Sequence, residues 1–194
     1  MAETPTENKV HYDLVDVHVA PLTIAAGVAT FGAPVALPGA ISMDLAPQGG
    51  SVKLRADGMV YYQTSSNNGY EGNLNMTMVP DWFRQQYLGE ILAATDNVQV
   101  ENAEAAPKSF ALLYGFKGDV NRRRHVLYSC LASRPNIKGE NKENEKEPDT
   151  ESLPISVVPL PNGDVKASTT AATPAAVYAG WNTAVWQKSA AAEG

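Results

Sequence analysis

The hydrophobic pattern is clearest between Ser51 and Glu90, where the period changes from two to about four. Asn68-Gly69 tolerates the positive φ angles of a two-residue type I′ turn, so the flanking runs are predicted to pair as a hairpin. In the second arm Leu74, Met76 and Met78 share one face and Asn73, Asn75 and Thr77 the other, the alternation of a strand packed on one side only. Phe83, Tyr87 and Ile91 then recur at i+4, with Trp82, Leu88 and Leu92 beside them, which predicts one principal amphipathic helix from about Asp81 to Ala93. Asp81 follows Pro80 and is placed to cap that helix or to sit at the positive end of its dipole. A lone hairpin is marginal in water, so the helix is expected to lie across its apolar face.

Elsewhere alternation also dominates. Val15, Val17 and Val19 predict a strand within Val10 to Ile24, with Asp16 and His18 on its other side and Pro21 favouring an edge or bulge. Ala26-Gly27 suits a tight hairpin, and Ile41, Met43 and Leu45 a further strand ending in the flexible turn Ala46 to Ser51. Beyond the helix come a turn at Ala93 to Asn97 and a short strand at Val98 to Val100. A hairpin is predicted from Ser109–Phe116 and Arg123–Ala132, and another around Asn162-Gly163, its arms marked by Leu153, Ile155 and Val157 and by Val165 and Ala167. Ala175 to Gln187 reads as a helical turn closed by Gly180 and then a strand through Trp181, Thr183 and Val185. Lys138 to Thr150 is charge-dense and nearly free of apolar residues, a solvated loop. The expected fold is therefore mainly β, a single β-sandwich or barrel-like domain over residues 9–187, with flexible ends at 1–8 and 188–194.

Composition narrows the function classes. The chain has 194 residues and is 44% hydrophobic and 19% charged, enough for one well-formed core. Its net charge of −6 opposes nonspecific adhesion to nucleic acid, which depends on lysine and arginine. The single cysteine, Cys130, lies in an apolar run and suits a reducing compartment; neither a secretory leader nor a membrane-length apolar run is evident.

The chemical inventory is sparse. His125 and Cys130 are five apart on a predicted strand and so point to opposite faces, which denies them a nucleophile–base pairing. His11, His18 and His125 lack ligand spacing, and Gly49-Gly50 and Gly69 lack the lysine of a phosphate loop, so neither metal, cofactor nor catalytic site is expected. Arg122, Arg123 and Arg124, with Lys117 nearby, form either a solvated hairpin tip or a partner contact. Trp82, Trp181 and Trp186 serve packing, or alternatively an aromatic platform in a carbohydrate-binding β-sandwich module.

The stretch YYQTSSNNGYEGNLNMTMVPDWFRQQYLGE resembles the signature region of the major tail proteins, the tail tube subunits, of long-tailed siphovirus-type bacteriophages. ATFGAPVALPGAISMDLAPQGG before it, and SFALLYGFKGDVNRRRHVLYSCLASRP, KEPDTESLPISVVPLPNGDVKAST and AVYAGWNTAVW after it, follow in that family's order, from about Lys9 to Gln187. The resemblance implies a non-catalytic virion protein with a flanking helix that self-assembles into hexameric rings. The rings stack into a tail tube through which DNA passes, built in the host bacterial cytoplasm with a tape measure protein, a tail terminator and baseplate or tip proteins. No membrane binding is implied. A closed ring needs two different faces of each subunit to meet. Candidate contacts are Ala46, Pro47, Gln48, Gly49, Gly50, Ser51, Arg55 and Asp57, in the loop region predicted before the hairpin; the N-terminal segment and the Lys138 to Thr150 loop are secondary choices. Asn73, Asn75 and Thr77, the wet face of their strand, are candidates to line the lumen, where an acidic wall would let DNA slide.

Overall fold

The computed structural model describes residues 10–118, 122–139 and 148–188. Nine strands form one antiparallel sheet whose main path is β2 (Val28–Phe31), β1 (Tyr12–Ala25), β10 (Phe110–Lys117), β11 (Arg124–Ala132), β12 (Glu151–Val157), β7 (Gly69–Met76) and β4 (Ala40–Gln48). Off that path β3 (Val35–Ala36) pairs with β1 and β13 (Lys166–Ser168) with β11. Two separate ribbons complete the β structure: β5 (Ser51–Ala56) with β6 (Met59–Ser65), and β8 (Ile91–Leu92) with β9 (Gln99–Val100). The short link from β3 to β4 brings β4 back against β1, so the sheet curls towards a barrel. The mainly β expectation is met.

Alternation along β10 explains why the sheet is covered on both faces. Phe110 and Leu112 join Val17, Val19, Leu74, Met76, Leu153, Ile155 and Val157 in the larger core, which the helical segment seals with Phe83, Tyr87 and Leu88. Ala111 and Leu113 face the other way, with Ala20, Val126 and Tyr128, under Trp181 and Val177. A second helix, α2 (Ala175–Gly180), lies on that side. Cys130 is fully buried and its thiol is pushed up by desolvation, so it holds its proton.

Several expectations are corrected. The turn of the long hairpin lies at Asp57-Gly58, with φ of 52° and 79°, and Asn68-Gly69 instead leads β6 into β7. Gly69 is needed for another reason: its φ is 103°, and a Cβ there would run into the carbonyl of Val157 on the neighbouring β12. Leu74 and Met76 are buried as expected, but β7 ends at Met76 and Met78 is exposed.

The helix is also shorter than its pattern suggests. One α-helical turn, α1 (Asp81–Phe83), widens into a π-helical turn at Arg84–Leu88, and Gly89 ends it in the left-handed conformation at φ 79°. The wider turn puts Phe83, Tyr87 and Leu88 all on the buried side. Ile91 and Leu92, beyond the stop, are exposed in β8. Asp81 makes no side-chain capping bond but does sit in the first turn.

Around Asn162-Gly163 the chain turns, with Leu160 N–H donating to Asp164 O, yet the arms do not pair with each other. Instead β12 pairs with Cys130 to Ala132, and β13 with His125 to Leu127, so the two are collinear pieces of one strand alongside β11. Trp181 to Ala184 turns and Val185 to Gln187 is irregular, where a strand was expected. Pro21 lies within a strand paired on both sides, and β1 bulges at Asp13 and Asp16, with φ of 27° and 54°. Residues 140–147, most of the acidic loop, and the terminal segments 1–9 and 189–194 fall outside the described residues.

Candidate assembly surface

The region predicted as a loop from Ala46 to Gly58 is mostly strand. Ala46, Pro47 and Gln48 finish β4, opposite Glu71, Tyr70 and Gly69 of β7. Gly49-Gly50 forms a neck: Gly50 N–H donates to Ser66 Oγ (3.0 Å), Ser66 N–H donates to Gly50 O (2.9 Å), and Asn68 N–H donates to Gln48 O (2.8 Å). A Cβ at Gly49 would strike the Ser66 carbonyl, so the two strands cross closely here. Ser51 and Arg55 lie on β5, and Asp57 in the turn.

Past the neck, β5 and β6 form a two-stranded arm. Every residue whose exposure is described, from Ser51 to Ser65, is exposed, so the arm stands off the body. Val52 opposes Thr64 and Leu54 opposes Tyr62, which sets Val52, Leu54 and Tyr62 on one face, while Lys53 opposite Gln63 occupies the other. The tip adds Met59 at 72% and Tyr61 at 79% exposure. At about 3.4 Å per residue the arm reaches roughly 20 Å. Val52, Leu54, Met59, Val60, Tyr61 and Tyr62 were not singled out from the sequence. The signal that finds them is the apolar run Met59 to Tyr62 directly after Asp57-Gly58, a turn dipeptide as good as the one chosen.

Of the three candidate lumen residues, Asn73 is exposed and Asn75 half-buried on β7, while Thr77 is exposed but lies past the end of that strand. Asn73 is opposite Asp44 and Pro154, Asn75 opposite Ser42 and Ser152, and Glu71 opposite Ala46 and Ser156. Asn75 donates from Nδ2 to Ser42 Oγ (3.0 Å). This outer face of β4, β7 and β12 thus presents amides, hydroxyls and two carboxylates, with neither lysine nor arginine at those positions. On the inner face Glu151 accepts from Val79 N–H (2.6 Å) and from Arg84 Nη2 (2.9 Å), which satisfies its charge.

The arginine cluster divides. Arg124 stacks 4.4 Å over the Tyr178 ring, donates to the Tyr178 carbonyl (3.3 Å), and takes a backbone bond to Thr169 Oγ1 (2.9 Å). Tyr178 in turn donates its hydroxyl proton to Arg122 O (2.9 Å). Arg124 therefore pins α2 to the sheet. With Lys117 and Asp16, the three arginines line an open cleft of about 630 Å³.

Of the three tryptophans, Trp82 packs against the larger core, Trp181 is buried, and Trp186 stacks on it with centroids 6.2 Å apart. Among the described residues no group of three or more His, Cys, Asp or Glu is placed to hold a metal, and no helix is long and apolar enough to cross a membrane. Searches against models of known protein families and against curated proteins found no match for this chain.

Proposed function

We propose that the chain is a structural subunit that self-assembles into stacked hexameric rings, the tail tube of a long-tailed phage, and that DNA leaves through the tube. The observation that carries this reading is the β5–β6 arm. Apolar side chains such as Val52, Leu54 and Tyr62 on a ribbon with water on both sides gain nothing from folding of the monomer, so another surface has to bury them. The resemblance in sequence supplies the kind of assembly, including a tape measure protein, a terminator and tip proteins as partners.

The face of Asn73, Asn75 and Thr77 suits the conduit wall. Its amides and hydroxyls keep it wet, Asp44 and Glu71 repel phosphate, and no cation is there to hold DNA. Six copies of a chain of net charge −6 add a repulsive field.

Negative-stain electron microscopy of the purified protein tests the proposal, with rings or tubes as the expected result. Replacing Val52–Thr64 by two glycines is expected to leave the thermal transition in place and to abolish those assemblies, because the arm is exposed throughout. Normal tubes from the trimmed chain would remove the main support for the reading.

A further inference from the structure

The second ribbon is also unpaired with the sheet. Ile91, Leu92, Val98 and Val100 around β8 and β9 are all exposed, on a stub whose tip turns at Asn97 with φ 53°. Its charge is one-sided. From Gln85 to Pro107 the sequence holds Glu90, Asp96, Glu101 and Glu104 but neither lysine nor arginine. Arg84 and Arg134 reach in from outside to Glu90 (3.6 Å) and Glu101 (2.9 Å), which leaves Asp96 at the tip and Glu104 as exposed acids. The arm is the opposite: between Ser51 and Ser65 it carries Lys53 and Arg55 against the single acid Asp57.

We infer that the β5–β6 arm of one copy docks on the β8–β9 ribbon of another, Val52, Leu54 and Tyr62 covering the exposed Ile91, Val98 and Val100, while Lys53 and Arg55 on the arm's other face draw the arm by their field to the acidic ribbon that carries Asp96 and Glu104, without pairing with them directly. The occupant is a second copy of this chain because each surface supplies what the other lacks: both are apolar ribbons without cover, and their charges have opposite sign. The two surfaces are different parts of the chain, so the contact is heterologous and leaves a free arm and a free ribbon at either end. Such a contact propagates into a ring or a stack rather than stopping at a dimer. The inference rests on the proposed self-assembly and names the mate of the arm.

Charge reversal tests it. K53E/R55E and D96K/E104K, all at exposed positions, are each expected to raise the protein concentration needed for assembly by about tenfold, and the fourfold variant to restore it. Thermal transitions equal to the parent's will show that the variants fold. Unimpaired assembly of D96K/E104K, or no rescue in the fourfold variant, would overturn the pairing while wild-type polymers leave the assembly reading standing. Cross-linking gives a second measure, because buried Cys130 is a silent background. Y62C and V100C are expected to form disulfide-linked pairs only when mixed under assembling conditions. Disulfides in Y62C alone would mean that arms meet arms, and the inference falls. A wild-type chain that stays monomeric at every concentration would sink both readings.

Discussion

At the scale of single residues, Gly69 and Gly58 separate two uses of glycine. Both have positive φ, but Gly58 faces open space at the arm turn, whereas a Cβ on Gly69 meets the Val157 carbonyl. Gly58→Ala is expected to cost about 1 kcal/mol, the left-handed penalty alone. Gly69→Ala is expected to cost about 3 kcal/mol, lowering Tm by roughly 6–12 °C, which a thermal melt will resolve. Tyr87 offers a different test, because its buried hydroxyl has no hydrogen-bond partner among the described residues. Tyr87→Phe is therefore expected to leave stability at pH 7 unchanged or to raise it by about 1 kcal/mol. Burial pushes the Tyr87 and Tyr114 hydroxyls up from 10.0 to about 12. Between those values the unfolded chain has released protons that the folded chain keeps, so stability falls as pH rises from 10 to 12. Urea titrations across that range are expected to show a shallower decline for Tyr87→Phe than for the parent.

Among the elements, the helical turn after β7 is held by a polar clamp as well as by its apolar side. Glu151 of β12 joins Val79 and Arg84, and Glu151→Ala leaves the Val79 N–H without its acceptor and the Arg84 guanidinium with only Glu90 and the Val79 carbonyl. The expected loss is about 2 kcal/mol in chemical denaturation, with faster amide exchange at Val79 and Arg84. Nothing in the local pattern announces this clamp, since the partners are far apart in sequence. Period-two alternation did reveal β1, β4, β7 and β12, because each commits one face to a core, whereas β10 and β11, buried on both faces, read as continuous β-rich runs. What local pattern misplaced was pairing. Asn-Gly and Asp-Gly are equivalent as turn formers, and only the contact of β7 with β4 and β12 decides between them. The helix was overextended because Ile91 and Leu92 continue its spacing past Gly89, a left-handed stop that outweighs periodicity. Asn73 and Asn75 alternate with the buried Leu74 and Met76 as the pattern implies and Thr77 falls past the end of β7, whereas the apolar arm went unread because exposure on both faces cannot be seen in a one-dimensional pattern.

For the molecule as a whole, the proposed function divides the surface into a wall and a joint, and each can be altered alone. N73K/N75K adds two cations to the face proposed to line the conduit, without touching the arm. Tubes of normal length that release DNA more slowly, most visibly at low salt, are the expected outcome in complemented particles. The pairing of β1 with β10 has a further consequence, for the time course of synthesis. β1 pairs locally with β2 and β3, but Tyr12 partners Lys117 and Pro21 partners Phe110, so its other edge stays open on the ribosome until more than half of the chain has been made. The hairpin from β4 to β7, with its arm, is local and closes within microseconds once it emerges. The apolar arm therefore exists before the body that positions it, and on the proposed function polymer growth would have to be restrained during that interval by something other than the fold itself.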